Sequence, residues 1–352
     1  MRTAMAASLR VGAVMAIPAV LEDLGCDATR VLAEFGIQPT YFDDPENTLP
    51  YATLGSILGR CVDETGCRHF GLLVGERAGM PSLGAVGYLM QSAPDVDTAL
   101  GILRTSLQAH DRGAVVTLKR EGSYVALGYA NLESGLESSD QIHATAISVG
   151  MSLLRGLCGS HWRPYDVQFA FAAPRDIAPY RKFFEATPRF DAARSALVFP
   201  EHWLARPLPS ADPFLHRLMR DRVNEMLVVN DDDLVAQVRR FLRTEAMSAV
   251  CSLEVIARHF GMHSRALSRR LAKDGTSFQR LRDEVRFDSA CQFLRNTRLP
   301  VNEIASTLGY ADGSAFNRAF RRWVGTAPAA WRIHNARDSG RPARAATRGR
   351  GE

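Results

Sequence analysis

The sequence lacks the residue patterns that mark disulfide-stabilised proteins, metalloproteins and common enzymes. Its six cysteines form no CxxC pair and no regular framework, so we predict buried free thiols in a reducing cytoplasm. Cys158 and His161 lie close together in sequence, but no second pair of metal-binding residues accompanies them. A phosphate loop, a GxSxG elbow and an HExxH motif are absent. The sequence therefore predicts no catalytic residue, no cofactor and no metal site.

Long hydrophobic runs are also missing. The apolar run 11–20 is interrupted by Pro18 and is too short to span a bilayer. The lead-in at residues 1–10 resembles a signal peptide, but apolar residues continue at helical spacing as far as Leu32. We therefore predict a folded first helix and a cytoplasmic protein with no membrane partner.

Charge is distributed unevenly along the 352 residues, which are enough for two domains. Residues 231–352 hold 22 Arg and Lys against 13 Asp and Glu, a net charge of +9, whereas residues 1–230 carry 21 against 25, a net of −4. A basic last third indicates a module that binds a polyanion. Charge alone leaves open a basic surface that only keeps the protein soluble.

The stretch 300–332 predicts two short helices joined by a tight turn. Gly309 directly follows the first apolar helix face, where a helix can end in a left-handed residue. Asp312 is then placed to cap a second helix, which carries polar and cationic side chains away from its apolar stripe. The residues expected to be core are Ile304, Ala305, Leu308, Phe316, Phe320, Trp323 and Trp331. This arrangement is a helix-turn-helix, which places its second helix in the major groove of DNA.

Residues 252–273 repeat this pattern. Ile256-Ala257 corresponds to Ile304-Ala305 at an offset of 48, and the features that follow match in the same order. A long helix over residues 277–297 is predicted between the two copies and would hold them at a fixed separation. Its expected packing residues are Phe278, Leu281, Val285, Ala290 and Leu294.

The residues IASTLGY…F…FRRWVGTAPAAWR, preceded by the weaker first copy and the joining helix, resemble the DNA-binding domain of AraC/XylS transcription regulators. The resemblance covers about residues 231–334 and implies that both second helices enter successive segments of the major groove. Matching positions imply these base-reading residues: Arg265, Ser268, Arg269, Ser314, Asn317 and Arg318. Gly313 also matches, but it has no side chain with which to contact a base.

Helical phase separates base contacts from phosphate contacts on these helices. Arg269 and Arg318 occupy the same slot of the two repeats, where arginine can bind guanine with two hydrogen bonds. The alternative for both is a solvated or phosphate-bound side chain. The residues predicted to bind phosphate are Arg270, Arg321 and Arg322, which lie off the reading edge.

The first part of the chain predicts an α+β domain with a small antiparallel sheet. Residues 9–110 show mainly helical spacing, and Asp95 or Asp97 is expected to cap the last of these helices. The strands 114–118 and 124–129 form a predicted hairpin. The remaining predicted elements are helix 138–158, strand 167–171, helix 179–185 and strand 196–199.

The order GLLVGERAG…APDVDTAL…YRKFFEATPRFDAARSALVFPEHWLARPLP is similar to the N-terminal domain of the AraC subgroup that includes regulators of ornithine-type amino-acid catabolism. This resemblance implies a small-molecule effector and pairing as a homodimer. No sugar-binding cupin pattern is evident, so arabinose is not taken as the ligand. His110, Arg104 and Arg112 could contact an anionic effector, but ordinary surface or core roles are the alternative, and no pocket residue is assigned.

These observations predict four segments and one function. The effector-binding and dimerisation domain covers 1–208, a connecting helix 209–230, the all-α double helix-turn-helix domain 231–335, and a disordered basic tail 336–352. The acidic cluster 230–233 suits a helix N-terminus. We predict a ligand-responsive transcription regulator, with activation and contact with RNA polymerase expected from the family. The alternatives are an enzymatic or metabolite-binding domain fused to an autoregulatory DNA-binding domain, and an effector-independent architectural DNA binder.

Overall fold

The computed structural model describes residues 8–131, 133, 135–228, 234–245, 252–260 and 262–338. The predicted acidic cluster 230–233 and the tail beyond residue 338 lie outside these ranges. The helices are α1 (Ile17–Asp23), α2 (Ala28–Ala33), α3 (Tyr51–Thr65), α4 (Phe70–Glu76), α5 (Ala85–Gln91), α6 (Val96–Ser106), α7 (Ser139–Cys158), α8 (Ala178–Phe184), α9 (Pro213–Val228), α10 (Leu234–Glu245), α11 (Leu253–His259), α12 (Ser264–Lys273), α13 (Phe278–Asn296), α14 (Val301–Thr307), α15 (Gly313–Val324) and α16 (Pro328–Asp338). The strands are β1 (Ser8–Arg10), β2 (Thr48–Pro50), β3 (Ala114–Glu121), β4 (Tyr124–Asn131), β5 (Asp166–Gln168) and β6 (Ser195–Pro200).

The first hundred residues are mainly helical, as predicted. Most buried apolar residues from Leu9 to Val74 form a core of their own, whereas those from Met80 onward belong to the core under the main sheet. Asp95 caps α6 by accepting a hydrogen bond from the backbone of Thr98 at 2.8 Å. One element was not predicted: β1 and β2 pair antiparallel in a two-stranded sheet. Each has only three residues, which is too short for a strand period to show in the sequence.

The main sheet is antiparallel and has the order β3-β4-β6-β5. β3 and β4 form the predicted hairpin, and Gly122 supplies a positive φ of 65° in its two-residue turn. The predicted strand 167–171 is shorter in the structure and ends at Gln168. Beyond that point Phe169 stacks on Phe190 with ring centroids 5.4 Å apart and leaves the ladder.

Helix α7 crosses α4 closely because two glycines of α4 face it. A Cβ on Gly71 would lie 2.3 Å from the backbone oxygen of Gln141, and one on Gly75 would lie 2.4 Å from that of Thr145. Glycine is therefore required at both positions for the two backbones to approach this far.

Both faces of the main sheet are covered, each by a different part of the chain. Leu127 and Leu197 belong to the core between the sheet and the helices of the first domain. Val115 and Ala130 instead belong to a core shared with α13 and α14. The sheet therefore contacts the C-terminal helices directly.

The C-terminal helices form two small cores joined by α13. Leu281 and Val285 of α13 are buried with residues of α10–α12, and Ala290 and Leu294 are buried with residues of α14 and α15. This placement confirms four of the packing residues predicted for the joining helix, while Phe278 is partly buried. The buried core residues of the two helix-turn-helix copies are Ile256, Ala257, Leu267, Leu271, Ile304, Ala305, Leu308, Phe316 and Phe320.

Helix α9 packs on the first domain through Val223, which is almost fully buried. Of the described cysteines, Cys61, Cys158 and Cys291 are buried and free. Within the described ranges no helix is long and apolar enough to cross a membrane. The same residues contain no cluster of three or more His, Cys, Asp or Glu arranged to hold a metal ion.

Candidate nucleic-acid interface and effector cavity

The second helix-turn-helix copy consists of α14 and α15. Gly309 ends α14 with a φ of 72°, and the backbone N–H of Tyr310 donates to the carbonyl of Ala305 at 2.9 Å. Asp312 then caps α15 by accepting from the backbone N–H of Ala315 at 2.7 Å. The predicted left-handed turn and cap are both confirmed.

A close contact, which the sequence did not reveal, explains why glycine occupies position 313 at the start of α15. A Cβ at this position would lie 1.9 Å from Oδ1 of Asn302, a residue of α14. Glycine therefore lets the Asn302 side chain reach the start of the second helix. This contact explains the presence of Gly313, which has no side chain with which to contact a base.

The first copy, α11 and α12, repeats this local geometry. The backbone N–H of Met262 donates to the carbonyl of Ala257 at 2.8 Å. Tyr310 and Ala305 stand 48 residues further on and make the equivalent bond. Gly261, the expected counterpart of Gly309, lies outside the described residues. The conserved turn bond shows that the sequence repeat is also a structural repeat.

The structure places the candidate DNA contacts on the second helix of each copy. The exposed ones are Arg265, Ser268, Arg269, Arg270, Ser314, Arg318, Arg321 and Arg322. Asn317 is half-buried, and its Nδ2 donates to the carbonyl of Gly313 at 2.8 Å. Its Oδ1 remains the acceptor that it can present to a base.

Two of the candidate phosphate residues already have neighbours in the protein. Arg322 lies 3.3 Å from Asp283 of α13, and Nη1 of Arg270 lies 4.0 Å from the sulfur of Met262. The Arg322 side chain is 66% exposed. An exposed ion pair of this kind is worth about 0–1 kcal/mol, so it leaves Arg322 available to phosphate.

Helix α13 contacts α10 and the second copy with polar side chains, in addition to its packing in the two cores. Asp283 pairs with Arg322 of α15, and the adjacent Glu284 pairs with Arg239 of α10 at 2.9 Å. Arg286 lies over the ring of Tyr310, with its guanidinium 4.8 Å from the ring centroid. The turn of the second copy is therefore held against the joining helix.

The second copy also docks on the first domain. Beside the shared core of Val115 and Ala130, Lys119 of β3 lies 3.1 Å from Glu303 of α14. The backbone N–H of Arg298 donates to the carbonyl of Ala193 at 3.1 Å. These contacts involve the first helix of the copy and the segment before it. They leave the exposed side of α15 uncovered.

A cavity of about 90 Å³ lies in the first domain, between α7 and the inner face of the main sheet. Its apolar wall includes Leu103, Leu107, Val116, Leu127, Ile147 and Leu197. Val116 follows directly after Val115, which faces the DNA-binding helices. The sheet that lines the cavity is therefore the same sheet on which the second copy docks.

One end of the cavity is polar. Tyr51 Oη donates to Oδ2 of Asp111 at 2.5 Å and lies 3.0 Å from the hydroxyl of Tyr129. Burial raises the pKa of Asp111 to about 6, although hydrogen bonds from Tyr51, Gly113 and Ala114 oppose the shift. At pH 7.5 this carboxylate is therefore charged and buried. Sequence reasoning missed Tyr51, Asp111 and Tyr129 because they are widely separated along the chain.

His110 also lines the cavity. It is buried, and its Nε2 has no hydrogen-bond partner among the described residues. Burial lowers its pKa to about 4, with the charge of Arg10 adding to the shift, so the imidazole is neutral at pH 7.5. Arg104 and Arg112, which the sequence suggested beside it, do not line the cavity.

Comparison with known proteins agrees with this architecture. Residues 25–208 match the family described as the arabinose-binding domain of the AraC transcription regulator, N-terminal, and residues 256–333 match a helix-turn-helix domain. The HTH-type transcriptional regulator VirS of Mycobacterium tuberculosis is 27% identical over 317 residues, covering 90% of this chain and 93% of VirS. The ornithine utilization regulator of Pseudomonas aeruginosa is 27% identical over 302 residues, covering 84% of this chain and 88% of that protein.

Among solved structures, the transcriptional regulator CdpR from Pseudomonas aeruginosa aligns with a TM-score of 0.45 at 22% identity, covering 89% of this chain and 97% of CdpR. The matched families and relatives are transcription regulators and not enzymes. Because the N-terminal family match spans more than half of its length, this chain belongs to the AraC family of transcription regulators, with an N-terminal ligand-binding domain and a helix-turn-helix DNA-binding domain.

Proposed function

We propose that this protein is a ligand-responsive activator of transcription that reads DNA sequence through α12 and α15. The observation that carries the proposal is that each of these helices buries an apolar stripe and exposes a polar, cationic side. The exposed side of a second helix in this motif is the side that enters the major groove.

The proposed base-reading residues follow from exposure and chemistry. Arg265, Ser268 and Arg269 would read bases from α12, and Ser314, Asn317 and Arg318 from α15. Arginine distinguishes guanine by two hydrogen bonds to O6 and N7, worth about 1–3 kcal/mol of discrimination. The proposed phosphate contacts, which fix position without reading sequence, are Arg270, Arg321 and Arg322.

Ligand response requires that the effector bind one arrangement of the two domains better than another. The support for such coupling is the shared sheet, whose inner face lines the cavity and whose outer face packs on α13 and α14. A ligand that moves β3 or β4 would therefore change the packing of Val115 and Ala130 against the DNA-binding helices. Glu303, paired with Lys119, lies at the edge of this contact.

The remaining parts of the proposal rest on the family. We propose an effector-binding and dimerisation domain over 1–208, a connecting helix over 209–230, and a DNA-binding domain over 231–335, with 336–352 as a basic tail. The protein would act as a cytoplasmic homodimer and contact RNA polymerase. Oligomeric state in solution and transcription from a bound promoter test these two points.

A comparison of Arg318→Ala with Arg321→Ala tests the DNA-reading assignment. The DNA is a duplex selected by the protein from a randomised pool, with a scrambled duplex as control, and fluorescence anisotropy measures affinity at several salt concentrations. Arg318→Ala should weaken binding to the selected duplex by about 1–3 kcal/mol and leave scrambled DNA unaffected. Arg321→Ala should weaken binding to both and reduce the salt slope by about 1. Equal losses on both duplexes for Arg318→Ala would reassign that residue to phosphate.

A further inference from the structure

We propose that the cavity of the first domain binds a small apolar amine, whose ammonium group pairs with Asp111 and whose hydrocarbon part lies between α7 and the main sheet. This inference rests on the proposed function only in taking the ligand to be the effector. It commits to the charge, size and polarity of the molecule.

The charge of the ligand follows from the charge of Asp111. Asp111 is 6% exposed as a residue and lines the cavity. Within the described part of the chain, no arginine or lysine forms an ion pair with it. Buried charges in proteins are normally paired, because the cost of removing an ion from water is large. The cavity therefore holds an unbalanced negative charge that a cationic ligand would neutralise.

The hydrogen bonds already made by Asp111 do not remove this imbalance. The carboxylate accepts from Tyr51, from Gly113 at 2.9 Å, and from Ala114. A carboxylate with three such donors ordinarily has a depressed pKa. Here burial outweighs them, and the pKa lies above its ordinary value. One of about four acceptor positions on the two oxygens remains for a ligand.

A primary ammonium group has three N–H donors and therefore needs three acceptors. Asp111 supplies the first. Neutral His110 supplies the second through Nε2 in its Nδ1–H tautomer, and this nitrogen has no other partner in the described residues. The hydroxyl oxygen of Tyr129 supplies the third, since it also lines the cavity and has two lone pairs. Three side chains that line the cavity thus carry the three acceptors that an ammonium group needs.

The apolar wall sets the size and polarity of the rest of the ligand. A cavity of about 150 Å³ lined by apolar side chains holds benzene. The present cavity of about 90 Å³ fits a body of roughly four carbon atoms. Val116, Leu127 and Ile147 offer it no hydrogen bonds. A sugar or an amino-acid zwitterion would leave buried hydroxyl or carboxylate groups unpaired here, and an anion would face Asp111.

Three molecules with the same branched four-carbon skeleton test the proposal: isobutylamine, isobutanol and isobutyrate, which are cationic, neutral and anionic at pH 7.5. Each is added to the full-length protein at about 10 mM, and the melting temperature reports binding because a ligand of the native state raises it. Isobutylamine should raise the melting temperature by about 2 °C or more, and the other two should leave it unchanged.

Three variants show where the amine binds. Asp111→Asn removes the charge but keeps an acceptor for Gly113, and it should weaken amine binding at least about tenfold, since loss of a buried ionic partner is costly. Ala146→Leu, which fills the cavity from α7, should abolish binding while leaving Asp111 in place. Asp63→Asn removes an exposed carboxylate elsewhere and should bind as the wild type does.

Each outcome decides the inference. Equal or stronger binding of isobutanol, undiminished amine binding in Asp111→Asn or Ala146→Leu, or no shift with any of the three molecules would overturn it. DNA affinity measured with and without isobutylamine separates the inference from the proposed function. Amine binding through Asp111 without a change in DNA affinity would leave the site standing and refute ligand response. If a different molecule shifts DNA affinity while the amine fails to bind, the amine site is refuted and the ligand response stands.

Discussion

Replacing Gly75 by alanine should destabilise the first domain, because α4 and α7 cross there with backbone against backbone. The added Cβ would lie 2.4 Å from the carbonyl oxygen of Thr145, 2.7 Å from Cβ of Ser148 and 3.1 Å from the backbone nitrogen of Val149. None of these atoms is the end of a flexible side chain. The clash can be relieved only if one helix moves away from the other.

The size of the effect follows from that displacement. An ordinary Cβ contact is at least about 3.4 Å, so α4 must withdraw by about 1 Å, and such a gap removes a quarter to a half of each contact's dispersion energy. Overpacking of this kind costs about 1–3 kcal/mol. Alanine regains up to about 1 kcal/mol of helix propensity. Because both helices present backbone, we take the upper end of the cost and expect a net loss of about 2 kcal/mol.

Gly101 of α6 provides the matched control, since a Cβ there would have nothing within 4 Å. Gly101→Ala should stabilise the protein by about 0.5–1 kcal/mol through helix propensity alone. For a domain of this size, the melting temperature measured by circular dichroism should fall by about 4–8 °C in Gly75→Ala and rise by about 1–4 °C in Gly101→Ala. If the melting temperature rose by a similar amount in both variants, α4 and α7 would not cross as closely as the structure shows.

Other regions of the protein give three further predictions. Ala305→Leu should overpack the second helix-turn-helix copy by about 1–3 kcal/mol, so that DNA affinity measured by anisotropy falls; unchanged affinity would contradict the buried position. Glu303→Gln should lower the free energy of unfolding by at most about 1 kcal/mol, because the ion pair of Glu303 with Lys119 is about one-third exposed. The same variant should reduce the effect of the effector on DNA affinity. Burial lowers the pKa of His143 to about 4, so the unfolded state binds a proton at this residue more readily than the folded state does. The free energy of unfolding is therefore full above pH 6.5 and falls by about 3 kcal/mol as the pH decreases towards 4. Urea unfolding should depend less on pH in His143→Gln than in the wild type, whereas exposed His161→Gln should keep the wild-type slope.

Periodicity and turn chemistry predicted most of the fold. The hairpin of β3 and β4, the long helix α7 and the two helix-turn-helix copies all carry many residues of one consistent period. The shared sheet was not predicted, although the sequence of Tyr124–Asn131 contains apolar residues in both phases of the strand. That pattern indicates a strand covered on both faces, but it does not say which part of the chain covers the second face.

The candidate site was predictable where it is local in sequence. Exposure of Arg269 and Arg318 follows from helical phase, and the structure agrees with it. The cavity was not predictable, because Tyr51, Asp111 and Tyr129 come together only after the first domain has folded. In the sequence, contact of His110, Arg104 and Arg112 with an anionic effector was one alternative, and ordinary surface or core roles were the other. In the structure His110 and Asp111 line the cavity, whereas Arg104 and Arg112 do not.

A sheet that serves two cores at once also limits how sensors of this family can be exchanged. Val115 and Val116 are neighbours on one strand, yet the first contacts the DNA-binding helices and the second lines the cavity. A chimaera joined within residues 209–230 would bring a foreign outer sheet face against α13 and α14. Such a graft would regulate transcription only if the partners of Val115 and Ala130 were transferred with it.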